Sequence, residues 1–160
     1  MNSKAAVFPE LDFDTSWEGA CGAAKTFLLE SGECPTILHI GLPGQTLLLN
    51  PIWANQYDKL SSRNRIVAAL YHQCNWYILV AESWRLTVPI TNDIPVPSES
   101  PDRIECVIVS GQDIKLGPRI AIYDIIRHGD SIDLIKYDMS DSHCEQDAWQ
   151  ELLRRESSDA

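Results

Sequence analysis

The sequence predicts an α+β domain in which helices pack on a single, mostly antiparallel sheet of about six strands. Three observations support this: short apolar runs typical of strands, tight turns between successive runs, and separate stretches with helical spacing. Strands joined by short turns must be antiparallel. The predicted order is α-β-β-α-β-β-β-β-α. We expect an N-terminal arm at residues 1–14, one domain at 15–153 and a disordered acidic tail at 154–160.

A first helix is predicted to begin near residue 15. Thr15 and Glu18 have the spacing of a capping box, in which each side chain satisfies a backbone amide of the first turn. Gly32 suits the left-handed residue that ends many helices. The residues between them that recur at helical spacing are Trp17, Ala20, Ala24, Phe27, Leu28 and Ser31.

A β-hairpin is predicted next. Apolar runs at residues 36–40 and 45–49 flank the segment 41–44, which contains a Pro-Gly pair. Pro-Gly is typical of a tight turn between strands. Asn50-Pro51 then ends the second strand, because proline has no amide to donate to the ladder.

A second helix is predicted after this hairpin, with basic residues on the side opposite its apolar stripe. The basic residues are Lys59, Arg63 and Arg65. The predicted stripe consists of Tyr57, Leu60, Val67, Leu70, Tyr71 and Cys74.

The rest of the chain supplies the remaining strands. A buried strand is predicted at 76–81, extended toward residue 88, followed by an irregular, proline-rich loop at 89–102. Further strands are predicted at 104–110, 119–127 and 132–137. Ser142 and Glu145 form a second capping-box pattern before a short terminal helix.

Composition restricts the classes of function. The 160 residues carry 13 Lys and Arg against 23 Asp and Glu, a formal net charge of -10, which disfavours direct contact with nucleic acid or anionic membranes. Five cysteines without a C-x-x-C pair suit reduced thiols. No apolar run reaches the length of a spanning helix. We therefore expect an acidic cytoplasmic protein.

Motifs for metal, cofactor or nucleophilic chemistry are missing. The four histidines are scattered without a zinc-binding pattern, no Gly-x-Ser-x-Gly elbow occurs, and 41–44 lacks the Gly-Lys-Ser/Thr ending of a phosphate loop. The sequence therefore predicts no catalytic residue, no metal site and no cofactor.

Four residues are candidates for binding. Glu82 follows the buried strand, where a carboxylate is either functional or accepts hydrogen bonds from a facing loop. Arg103 offers it a bidentate partner if the long loop folds back. Trp84 and Trp53 adjoin loops, and exposed aromatic side chains are the usual anchors of protein interfaces.

One stretch of the chain resembles a family. The residues Glu82-Ser83-Trp84, the segment Pro-Ser-Glu-Ser-Pro-Asp-Arg at 97–103 and the strand at 104–110 are similar to short, uncharacterised bacterial and phage-associated α+β proteins. The resemblance covers residues 35–137, although Ser83 stands where the family pattern has alanine. It implies a fold unit and a prophage or mobile-element context, and no activity.

Three hypotheses about function follow. The first is a non-enzymatic protein-binding or regulatory module, whose partner is another protein. The second is an acidic nucleic-acid mimic, which requires carboxylates spaced like phosphates. The third is an enzyme of unrecognised type that gathers Glu82 with Asp58, His72 or Arg103 in one pocket.

Overall fold

One antiparallel sheet of seven strands carries a helix on each face. The structure is a computed structural model that describes residues 4–85, 102–137 and 149–155. The strands lie in the order β1-β3-β2-β4-β5-β6-β7. Their bounds are β1 Lys4–Pro9, β2 Ile37–Leu42, β3 Gln45–Asn50, β4 Trp76–Arg85, β5 Ile104–Asp113, β6 Gly117–His128 and β7 Ser131–Lys136. The helices are α1 Phe13–Ser31 and α2 Gln56–Leu70, and a 3-10 turn spans Gln150–Leu152.

The α+β class and the antiparallel sheet are confirmed, but the described sheet has seven strands and not six. The additional strand is β1, which lies inside the predicted N-terminal arm. It pairs with β3, with Val7 opposite Leu47. Ala5 and Ala6 have little intrinsic preference for strands, so the pairing with β3, and not local propensity, defines this element.

The predicted start of α1 is wrong by two residues. Phe13 is the first helical residue, and the side chain of Asp12 caps the helix by accepting a 2.7 Å hydrogen bond from the Thr15 amide. Phe13 is only 2% exposed and its ring lies 6.1 Å from that of Trp76. Burial of Phe13 therefore fixes the helix start. The predicted end is confirmed, since Gly32 has φ 79° and closes α1.

The face of the sheet under α1 holds the larger core cluster. Residues of β4 with even numbers point toward α1, and those with odd numbers point away, as the alternation of a strand requires. The fully or almost fully buried members of this cluster are Phe13, Ala20, Ala24, Leu28, Trp76, Ile78, Val80, Val107 and Val109.

The opposite face is covered by α2 and by residues 149–155. Trp149 and Leu152 pack beside Val67 and Tyr77 in a second cluster. The Cys74 amide donates to the Leu152 carbonyl at 2.8 Å, which ties this segment to the turn after α2. The predicted terminal helix is represented here by the single 3-10 turn; its proposed cap at Ser142 and Glu145 lies outside the described residues.

The predicted packing stripe of α2 is confirmed at Val67 and Leu70, which pack in the second cluster, and is wrong at Tyr57 and Leu60. Val67 is the buried residue of the helix, whereas Tyr57 and Leu60 point outward at 79% and 55% exposure. The helix also ends at Leu70, so Cys74 is not part of it and instead pairs with the C-terminal segment. Two apolar stripes share this helix, and spacing alone does not say which of them faces the sheet.

Neither described helix is long and apolar enough to span a bilayer. The predicted proline-rich loop lies outside the described residues except for Asp102, as do residues 86–88 of the predicted strand extension.

Candidate functional site

The carboxylate of Glu82 holds the loop that follows α1. It lies on β4, on the face of the sheet that packs against α1, and its Oε1 accepts a 2.7 Å hydrogen bond from the backbone amide of Cys34. Cys34 is 7% exposed, so its amide has little access to water and needs an acceptor from the protein. Glu82 therefore has a structural task at this position.

Arg127, whose charge is opposite to that of Glu82, contacts the same loop. Its Nη2 donates to the Gly32 carbonyl at 3.0 Å, and its guanidinium makes two hydrogen bonds to Glu105, of 2.9 and 2.6 Å. The hydrogen bonds to Glu105 raise the pKa of Arg127 above its ordinary value. We call Glu82, Glu105 and Arg127 the α1 clamp, because together they fix both the carbonyl and the amide side of the loop at 32–34.

Trp84 and Arg103 form a stacked pair next to the α1 clamp. The Arg103 guanidinium lies 4.6 Å from the centre of the Trp84 ring, and Trp84 is 38% exposed. The sequence analysis offers Arg103 as a partner for Glu82 if the long loop folds back. Glu82 accepts a hydrogen bond from the Cys34 amide, and the Arg103 guanidinium lies over the Trp84 indole ring.

Trp53 lies apart from the other three predicted binding residues. It precedes α2, and the Lys59 ammonium lies 5.8 Å from its ring. Trp84 is on the face of the sheet that packs against α1, whereas α2 packs on the other face. Glu82, Trp84 and Arg103 are neighbours, but Trp53 belongs to a different surface.

Of the residues that the enzyme hypothesis places beside Glu82, Arg103 is a neighbour, whereas Asp58 and His72 belong to the other face of the sheet. Asp58 lies at the start of α2, where its Oδ2 accepts a 3.3 Å hydrogen bond from the Ala54 amide. The Nδ1 of His72 lies 2.8 Å from the Leu153 carbonyl, next to the cluster around α2. Glu82 is on the opposite face of the sheet. The described part of the chain therefore offers no pocket that gathers these three side chains.

Many carboxylates in the described ranges are used singly, as caps or in ion pairs. Asp12 caps α1, and its hydrogen bonds from Thr15 lower its pKa. Ion pairs join Asp14 to Arg119, Asp124 to Arg85 and Glu151 to Arg63, and a carboxylate oxygen of Asp133 lies 3.1 Å from His128 Nε2. No group of three potential metal ligands occurs among the described residues. Within the described ranges, carboxylates neutralised one by one differ from the row of unpaired charges that a nucleic-acid mimic requires.

Three buried thiols are poor nucleophiles. Burial raises the pKa of Cys34 to about 11, with a smaller effect from the nearby Glu82 charge. Burial also raises the pKa of Cys74 to about 12 and that of Cys106 to about 11. The thiolate is the reactive form, so these side chains act as small apolar core residues.

The outer face of α2 is a surface that the sequence analysis assigned to the core. A shallow groove of about 350 Å³ runs along it, lined by Tyr57, Leu60, Ser61, Asn64, Arg65 and Ala68. Tyr71, 52% exposed, continues the row beyond the end of the helix. The sequence does contain a signal for this face: α2 carries two apolar stripes, although packing against the sheet needs only one.

Comparisons with known proteins give no match to a family model, a curated protein or a solved structure. The resemblance to phage-associated proteins therefore stays a prediction.

Proposed function

We propose that the chain is a non-enzymatic protein-binding module whose contact surface is the outer face of α2. The observation that carries the proposal is a row of large apolar side chains pointing away from the domain: Tyr57 at 79%, Leu60 at 55% and Tyr71 at 52% exposure. Single exposed apolar residues are ordinary, whereas an aligned group is typical of an interaction site.

The spacing of the row suits a partner helix. Tyr57, Leu60, Asn64, Ala68 and Tyr71 follow one another at intervals of three or four residues, so they share one side of α2. The small side chains in the middle leave the shallow groove between the larger ends. An amphipathic helix that lays its apolar stripe along such a groove is a common mode of recognition.

Charge indicates the chemistry of the partner. The helix carries Lys59, Arg63 and Arg65 but only one acid, Asp58, which is engaged at the helix start. Lys59 and Arg63 lie on other sides of the helix, where Lys59 stands over the Trp53 ring and Arg63 lies 3.7 Å from Glu151. Arg65 lines the groove, and its charge favours an acidic residue in the partner segment, because complementary potentials give specificity and faster association.

Two further observations support a role in binding. Glu82, the residue most suited to chemistry by its sequence position, accepts a hydrogen bond from the Cys34 amide with one carboxylate oxygen. The Trp84 and Arg103 pair offers a second, smaller anchor of the kind found at interface hot spots. A cytoplasmic location and a prophage or mobile-element context remain part of the proposal.

Affinity capture from the native host tests the proposal with two matched variants. Leu60→Asp places a carboxylate on the α2 face. Leu29→Asp does the same on α1, where Leu29 is 60% exposed. The proposal expects a stoichiometric protein that is captured by the wild type and by Leu29→Asp, and at least tenfold less by Leu60→Asp. Equal capture by all three chains, or no stoichiometric partner at all, contradicts it.

A further inference from the structure

We propose that the chain forms a symmetric dimer by pairing its edge strand β1 with β1 of a second copy. Strand β1 is the first strand in the sheet order and its described partner is β3 alone. Within the described part of the chain, the other side of its backbone therefore presents carbonyl groups, and amide groups except at Pro9, to any strand that approaches.

Neither helix covers this edge. Val7 is 63% exposed and Phe8 is 46% exposed, and adjacent residues of a strand point to opposite faces of the sheet. The edge is therefore open on both faces. In agreement with this, the main sheet contacts of α1 are with β4, β5 and β7.

The two edges of the sheet differ in charge. Residues 5–9 of β1 carry no charged side chain, although the chain has a net charge of -10. The opposite edge, β7, contains Asp133 and Lys136. Charged residues on edge strands are a common protection against unwanted pairing, and β1 lacks this protection over most of its length.

An antiparallel pair with Val7 opposite Val7 of the second copy is self-complementary. The two-fold axis then runs perpendicular to the sheet, and each copy supplies the same patch, as a symmetric dimer requires. Phe8 lies opposite the small Ala6 of the second copy.

The expected dimer is weak and depends on salt. Pairing a six-residue strand covers less than the ~800 Å² per partner of a standard interface. Two copies with a charge of -10 also repel each other, and added salt screens that repulsion. Association through the uncharged edge therefore strengthens as ionic strength rises, whereas binding of an acidic partner to α2 weakens.

Sedimentation velocity over a concentration series at low and high salt tests the inference. We expect the mass of the wild type to rise from 18.0 kDa toward twice that value, with a larger rise in high salt. Val7→Lys is expected to stay monomeric at every concentration. The control Ile135→Lys, which alters a 52% exposed residue of β7, is expected to behave like the wild type. Circular dichroism confirms that each variant is folded.

A cross-link tests the register. Directly opposed residues in an antiparallel pair have Cα atoms ~4.5–5.5 Å apart, which is within the range of a disulfide. Val7→Cys is expected to form a disulfide between copies under mild oxidation, located by peptide mass mapping, and Ile135→Cys is not. A wild type that remains at 18.0 kDa, a dimer that survives Val7→Lys, or a dimer without the Val7→Cys cross-link overturns the inference.

Discussion

The carboxylate of Glu82 accepts a 2.7 Å hydrogen bond from the amide of Cys34, a residue 48 positions earlier in the chain. This contact fastens the end of α1 to the middle of the sheet, and Arg127 reinforces it by donating to the Gly32 carbonyl. The side chain best placed for chemistry by sequence is thus part of the scaffold.

Removing the Glu82 carboxylate is expected to destabilise the domain. Glu82→Ala leaves the mostly buried Cys34 amide without its acceptor, and we expect a loss of about 1 kcal/mol in the free energy of unfolding. Glu82→Gln keeps an acceptor oxygen and is expected to lose about half as much. Urea unfolding at neutral pH measures both. Glu30→Ala removes an exposed acid of α1 and serves as the control; a Glu82→Ala chain as stable as this control contradicts the structural role.

Gly41 is expected to tolerate no side chain. A Cβ atom at this position would lie 2.2 Å from atoms of the Trp76 indole, which packs directly over the glycine. Gly41→Ala is therefore expected to lower the free energy of unfolding by about 3 kcal/mol, because Trp76 is buried and has no room to move.

Gly19 provides the matched control for Gly41. It lies in α1, is exposed, and no atom lies within 4 Å of a Cβ built on it. Gly19→Ala is expected to raise the free energy of unfolding by about 0.5–1 kcal/mol, since alanine favours helix over glycine. A Gly41→Ala chain that is less stable than the wild type and a Gly19→Ala chain that is more stable, both measured by thermal unfolding, support the described packing. Equal changes in the stability of the two variants count against it.

His39 is expected to make stability depend on pH below neutrality. Burial lowers the pKa of this histidine below its ordinary value of 6.5. The unfolded chain therefore binds a proton that the folded chain does not, and stability falls as pH drops below about 6.5. The loss from this group is at most about 1.4 kcal/mol per pH unit.

His39→Leu is the variant that isolates this effect. Leu48 and Ile78 lie opposite His39 on the neighbouring strands, so an apolar side chain suits the site. We expect the variant to lose less stability than the wild type between pH 7.5 and 5.5 in urea titrations. Equal losses of stability in the wild type and in His39→Leu over this pH range rule out His39 as the source of the pH dependence.

Local signals predicted much of the fold from the sequence. The Pro43-Gly44 pair specified the turn between β2 and β3, and Gly32 specified the end of α1. Each of these depends on the backbone preference of one or two residues, so the sequence contains the information directly. The antiparallel arrangement followed from the shortness of the connections.

Features set by distant contacts were not predictable. Strand β1 exists through its pairing with β3, about forty residues away in sequence. The partner of Glu82 is likewise remote, at Cys34 and not in the adjacent loop. The orientation of α2 depends on which of two apolar stripes meets the sheet, and only the assembled core decides between them.

The central claim is that the outer face of α2 contacts a protein partner. Photo-cross-linking from this helix tests that claim most directly. A photoreactive phenylalanine analogue replaces Tyr57, which is 79% exposed, and a second chain carries it at Leu29 on α1 as the control. Irradiation in host lysate is expected to join position 57, and not position 29, to one protein, through a peptide rich in Asp and Glu. Adducts that form equally from both positions, or from position 29 alone, contradict the claim.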